Sequence, residues 1–435
     1  MKRYLRIPAL WSLILSGIAA APKPLAAAAP DPVLEWIGIM NDTVLASGSN
    51  SIVTSRVAAL VSASVFDAVN GIEPRFHSLY VKPDAPRHAS RRAAAIQAAY
   101  AILLHAYPAQ SAVLSARRSS SLAALPLAEQ AEAVPAGVAW GQTVADAIWT
   151  LRLTDGNAPT PPPFVGVLGI EDTPAAVGVW RPTPPANAPG SGPQFATMTP
   201  WVLRRPSQFR LPPPLALDSP EYAADLDEVK TMGSLSGSAR TADQSELALF
   251  WAGNTPLYWN RVAAQIAAVR GQRLTENAHL FGLLNLTMAD ASIACWDSKY
   301  RYVFWRPITA IRAGLRPADA DPAWEPWLDS TKGGTPAHPE YPSAHACMSG
   351  SAAFVLSAAF GDNTAFTVTS DVRPGTRPFS SFSSAVAEIA DARVFGGIHF
   401  RTSCVRGNIL GSTVADYVSK HSMRVLGGHW NDWGD

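Results

Sequence analysis

Three short stretches of this 435-residue chain carry residues able to hold and work on a small anion. The first, WDSKYRYVFWRP (296–307), sets Lys299 and Arg306 seven residues apart. On one unbroken helix that step returns to nearly the same face, so both cations would bend toward a common point, with Trp296 close by. The residues between them are largely aromatic, which marks a buried helix, and a buried cation needs a partner. The second stretch, TPAHPEYPSAHACMSG (335–350), places Pro342 and Ser343 just before an apolar helix pattern, with His345 in its first turn and His338 upstream. A helix N-terminus offers free N–H groups and a positive dipole end, a natural anion site. In the third, ADARVFGGIHFRTSC (390–404), Gly396-Gly397 separates Arg393 from His399. That pair allows a break through which both side chains turn inward.

Taken singly, each stretch fits an ordinary role: cations paired with acids, a plain helix cap, a structural histidine after Gly-Gly. The ordered set does not. Lys-x6-Arg-Pro, Pro-Ser-x-His and Arg-x5-His together supply three cations, a hydroxyl, helix N–H groups and two imidazoles. Such an inventory suits a tetrahedral oxyanion such as phosphate or vanadate.

The elements that must position these groups read as helices. Apolar residues recur at three- and four-residue spacing over 55–73, 91–107, 127–152, 242–253, 255–271 and 275–306. Further helices are expected at 344–360, 381–395 and 403–424. Residues 155–215 are too rich in proline and glycine for regular structure, but Trp180, Phe195, Trp201 and Phe209 point to an excursion packed on the body. With no alternating strand pattern of useful length, the fold class is all-α, an assembly of helical bundles. The expected organisation is a signal peptide (1–29), an N-terminal helical region (30–154), the Pro-rich excursion (155–241), a helical domain carrying the site (242–425) and a tail (426–435).

A formal net charge of +1 gives no general attraction to nucleic acid or anionic membranes. The basic MKRYLR, the apolar run after it and the Ala-rich KPLAAAAPDP read as an export signal, giving a periplasmic or secreted protein with no membrane span. Cys295, Cys347 and Cys404 show no zinc spacing. If the two site histidines share one pocket, a Cys347–Cys404 disulfide is a geometric option beside free thiols.

The three motifs resemble the signature of the vanadium-dependent haloperoxidase and type 2 phosphatidic acid phosphatase superfamily, and residues from about 31 onward resemble its bacterial haloperoxidase-like branch. The resemblance implies an all-α fold of bundled helices. It implies a vanadate cofactor held by Lys299, Arg306, Arg393, Ser343 and the N–H of Ala344, with His399 as the metal ligand and His345 as the acid–base residue. It further implies hydrogen peroxide as oxidant, activated beside Lys299, then a halide and a small organic acceptor. Trp296 and His338 would line the halide pocket, and a histidine at 338 favours bromide or iodide over chloride. The chain departs from the pattern at Ala344 (usually glycine), Ala392 (commonly serine) and Ser403, where an aspartate often orients the apical histidine. Loss of that aspartate favours a vanadate ligand over a phosphorylated nucleophile, so the peroxidase is expected. The alternative is an exported phosphatase acting through a phosphohistidine.

Overall fold

The computed structural model describes residues 31–427 apart from 130–131, 170–172 and 174–175; the expected signal peptide and most of the expected tail lie outside the described residues. Local caps start many of the helices. Asp31 accepts the N–H groups of Val33 and Leu34 and opens α1 (Pro32–Ser47), Asn50 opens α2 (Ser51–Ile72), and Ser90 opens α3 (Arg91–Ala106). Helices α4 (Ser111–Ala123) and α5 (Ala133–Arg152) follow. Within the last part of the segment expected as the excursion (155–241) lies α6 (Pro220–Met232), capped by Ser219, and α7 (Ala242–Phe250), started by a Thr241–Gln244 capping box, follows it. The rest of the chain forms α8 (Thr255–Arg270), α9 (Leu274–Tyr302), α10 (Pro307–Ala313), α11 (Ala344–Phe360), α12 (Phe382–Phe395) and α13 (Arg401–His421).

The fold is all-α as expected, with one addition. A small antiparallel hairpin, β1 (Phe366–Thr369) paired with β2 (Thr376–Phe379), joins α11 to α12. Each strand has only four residues, too few for alternation to stand out.

Helix α9 is the spine. Every residue from Asn277 to Lys299 is buried, and a fully buried leucine contributes roughly 2 kcal/mol. Helices α2 and α9 are both long and apolar enough to cross a membrane, but 89% and 100% of their apolar windows are buried inside the protein. That burial accounts for their hydropathy as core. The excursion packs on this spine, with Trp180, Phe195 and Trp201 buried. Asp290, on α9, fixes it in place by accepting the backbone N–H groups of Trp201, Val202 and Leu203 at 2.6, 2.8 and 2.9 Å.

Two local features set the site. Helices α11 and α13 meet closely because small residues line their seam: a Cβ on Gly411 would sit 2.0 Å from the Cys347 carbonyl oxygen. This brings the start of α11 against the start of α13, where Ser343 N–H donates to Ser403 O at 3.1 Å. The second feature corrects an expectation. Lys299 and Arg306 do not share a helix; α9 stops at Tyr302, and Val303 adopts φ +49°. A β-branched residue there is strained by about 1–2 kcal/mol. The break turns the chain so that Arg306 approaches as the cap residue of α10, and Pro307 begins that helix.

Candidate active site

The structure brings all nine expected site residues to one place. Lys299 and Arg306 are fully buried, and Arg393 is 2% exposed. Lys299 Nζ donates to the Pro339 and Glu340 carbonyl oxygens at 2.8 and 2.9 Å, which leaves one of its three N–H bonds to spare. Arg306 spreads its donors over Nε to His338 O, Nη1 to Ile398 O and His399 Nε2, and Nη2 to Pro336 O and the His338 ring, whose Nδ1 also lies 3.0 Å from Pro339 O. Arg393 donates Nη1 to Trp251 O, while its buried Nε has no partner.

Ser343 stands in the cap position of α11, yet its side chain makes no capping bond. Its Oγ is buried with no oxygen or nitrogen acceptor among the described residues and faces the Cys404 sulfur, a weak acceptor. The first-turn N–H groups of α11, from Ala344 on, therefore remain as anion donors. Ala344 begins that helix without a positive φ, so alanine in place of glycine costs no strain here. Arg393 and His399 flank the end of α12, where Gly397 takes φ +74° and a Cβ would meet Gly233 O at 2.5 Å. The Gly-Gly break expected from sequence is present, and it turns His399 inward to 1% exposure.

The imidazoles are neutral. Burial, then neighbouring cations, pushes His345 and His399 well below the usual histidine range, and likewise His338. His345 Nε2 lies 3.1 Å from Gly253 O, which can only accept, so that nitrogen carries the proton and Nδ1 keeps its lone pair. Burial lowers Lys299 to about 8 and raises Glu340 to about 7. A cavity of about 470 Å³ opens onto the group, lined by His345, His399, His338, Trp296, Ile52 and Met348. The Trp296 and His338 rings meet with centroids 5.1 Å apart.

One residue of the site escaped the sequence reading. Glu340, completely buried, accepts from His399 Nδ1 at 2.7 Å and Phe400 N–H at 3.1 Å through Oε1, and from Ser403 Oγ at 2.6 Å through Oε2. The missing aspartate at 403 thus does not leave His399 without a carboxylate, and its loss cannot separate a peroxidase from a phosphatase. The only sequence signal was an acid in the PEYPS turn, 59 residues from its partner. The thiols Cys295, Cys347 and Cys404 are all free and buried, so the disulfide option is not taken.

These donors fit a tetrahedral oxyanion bonded at one imidazole. Two buried donors lack partners, a lysine N–H is spare, and three cations outweigh the one carboxylate. Among the described residues no cluster of three or more His, Cys, Asp or Glu stands ready for a metal cation.

The chain is also similar to known proteins. Residues 279–428 match the family model of the VCPO second helical-bundle domain. Vanadium chloroperoxidase of Curvularia inaequalis is 26% identical over 254 residues, 48% of this chain but 41% of that enzyme, so the match covers less than half of the relative's length. The crystal structure of a bacterial vanadium-dependent iodoperoxidase superposes with a TM-score of 0.79 at 25% identity, covering 94% of this chain and 100% of that one. A bacterial vanadium-dependent chloroperoxidase in its apo form shares the fold, with a TM-score of 0.66 at 20% identity over 86% of this chain and 94% of that one.

Proposed function

Because the chain belongs to the superfamily of vanadium-dependent haloperoxidases and type 2 phosphatidic acid phosphatases, we propose that it is a haloperoxidase, oxidising halide with hydrogen peroxide and passing the oxidised halogen to a small organic acceptor. The observation that carries this reading is the cage itself: His399 Nε2 presents a lone pair beside Arg306, while Ser343 Oγ and Arg393 Nε have no oxygen or nitrogen partner among the described residues. The similarity to an iodoperoxidase along the whole of that enzyme supports it.

In this reading His399 Nε2 is the metal ligand. Ser343 Oγ, the Ala344 N–H, Arg393, Arg306 and the spare N–H of Lys299 hold the vanadate oxygens. Bound there, vanadate would supply a Lewis-acidic centre that activates hydrogen peroxide toward attack by halide without changing its own oxidation state. The chain's own residues do the remaining work. Three fixed cations stabilise negative charge already in place, in a buried setting where such contacts count most. His345 Nδ1 takes a proton from incoming peroxide, its other nitrogen anchored on Gly253 O. Trp296 and His338 wall the cavity beside Arg306 and form the halide pocket. Their polarisable rings suit a large, weakly hydrated anion, so bromide or iodide is the proposed substrate.

The test is a paired assay on protein stripped of phosphate and then given orthovanadate. Bromination or iodination of a dye that requires both vanadate and peroxide, and disappears in His399→Ala, is the expected result. Hydrolysis of an aryl phosphate without peroxide, abolished by vanadate, would replace the proposal with a phosphatase on the same cage.

A further inference from the structure

We propose that Glu340 is the positioning residue of the apical histidine, holding His399 as the Nδ1–H tautomer with Nε2 open for a ligand, in the role that an aspartate four residues after that histidine plays elsewhere in the superfamily. The inference rests on the reading of His399 as the apical ligand.

The assignment follows from who can donate to whom. His399 Nδ1 and Glu340 Oε1 share one hydrogen bond at 2.7 Å. Two arrangements satisfy it: a carboxylate accepting from Nδ1–H, or a carboxylic acid donating to a bare Nδ1, with the ring proton then on Nε2. The second is excluded by Arg306, whose Nη1 lies 3.2 Å from His399 Nε2. A guanidinium can only donate, so Nε2 must carry the lone pair and Nδ1 the proton. The other contacts of Glu340 agree. Oε1 also accepts from Phe400 N–H and Oε2 from Ser403 Oγ, so three donors fix the plane of the carboxylate.

The same short segment is tied to the cationic wall. Lys299 holds the carbonyls of Pro339 and Glu340, and Arg306 holds that of His338. Glu340 is therefore set by the groups that would hold the oxyanion, and it sets the ligand in turn. Ser403, which stands where the aspartate is expected, gives its proton to the carboxylate that arrives from the other side. A histidine ligand whose second nitrogen is held by a carboxylate is both oriented and made more basic, and loss of such a partner typically costs 10- to 100-fold in affinity (order of magnitude).

The first measurement needs no cofactor and no change at Glu340. In ¹⁵N-histidine-labelled protein without oxyanion, His399, identified by its absence from His399→Ala, is expected to show a protonated Nδ1 and a bare Nε2. A proton on Nε2 would overturn the proposal. The second measurement compares the dissociation constants of orthovanadate, which can bond to nitrogen, and sulfate, which can only fill the cage. Glu340→Gln should weaken vanadate by roughly 10- to 100-fold more than sulfate. Adding Ser403→Asp to that variant should restore most of the difference. Equal weakening of both anions, or no rescue, would reduce Glu340 to a structural residue. These readouts stand apart from turnover: a chain that fails to halogenate yet keeps the tautomer and the vanadate-specific loss overturns the haloperoxidase reading alone.

Discussion

Arg306 Nη1 sits 3.2 Å from His399 Nε2, so without an anion the guanidinium occupies the lone pair that the site would offer to a ligand. Its remaining donors go to carbonyl oxygens and the His338 ring, and nothing acidic among the described residues pairs with it directly. The positive charge is thus stored for an incoming oxyanion, whose binding must replace the contact to His399. Arg306→Gln shortens the side chain and removes its charge, so the site is expected to lose a charge-assisted bond of about 1.5–3 kcal/mol, a 10- to 100-fold weaker vanadate affinity by calorimetry. Unchanged affinity would mean that the guanidinium serves only the loop carbonyls.

His345 makes a separable prediction. Its Nε2 is anchored on a backbone carbonyl and its Nδ1 is free, so it is built to move a proton, not to hold the anion. His345→Ala should leave vanadate affinity within a few-fold of the parent while halogenation falls roughly 10²- to 10⁴-fold. A parallel loss of affinity and turnover would instead make it part of the cage.

Much of this site was legible because its residue types lie in three compact motifs, each beside a helix end with a strong apolar pattern. What could not be read was geometry fixed by tertiary packing. The Lys299–Arg306 spacing fits one helix, and only the left-handed Val303, tied to the excursion by its carbonyl to Trp180 N–H at 2.7 Å, reveals the break. Glu340 shows no periodicity, and its partner is 59 residues away. Helix α4 escaped because its stripe is weak, with only Leu114 and Ser121 buried, and α6 because its acidic run sits against the Pro-rich excursion.

Lys299 gives the cage a pH dependence of definite sign. Burial, opposed by nearby thiols and the Glu340 carboxylate, lowers it from 10.5 to about 8 in the anion-free protein. Above that pH the ammonium increasingly loses its proton and the cage one positive charge. Tungstate keeps its charge from pH 7 to 9, so its affinity should fall as Lys299 loses its proton through about 8, beyond any earlier change as Glu340 ionises near 7. The fall should be absent in Lys299→Arg, because arginine stays protonated across that range. A fall that persists in Lys299→Arg would assign the titration to another group.

Acid stability depends on a histidine far from the cage. His279, near the start of α9, lies with Nε2 2.9 Å from Met423 O and its ring stacked on Phe76 at 3.9 Å, which ties the spine to the segment after α13. Burial lowers its pKa from 6.5 to about 4, against a smaller opposing effect of the bond to Met423. A depressed folded-state value means that the unfolded chain binds the proton first as pH falls. The contribution is therefore complete above pH 6.5, declines below it and is gone below about 4. At about 1.4 kcal/mol per pH unit the loss is on the order of 3 kcal/mol. Urea unfolding at pH 7 and pH 4.5 should show at least that drop, since the buried cage histidines titrate with the same sign, and His279→Gln, which cannot gain the proton, should reduce it by about the His279 share. An equal drop in that variant would place the acid-sensitive group elsewhere.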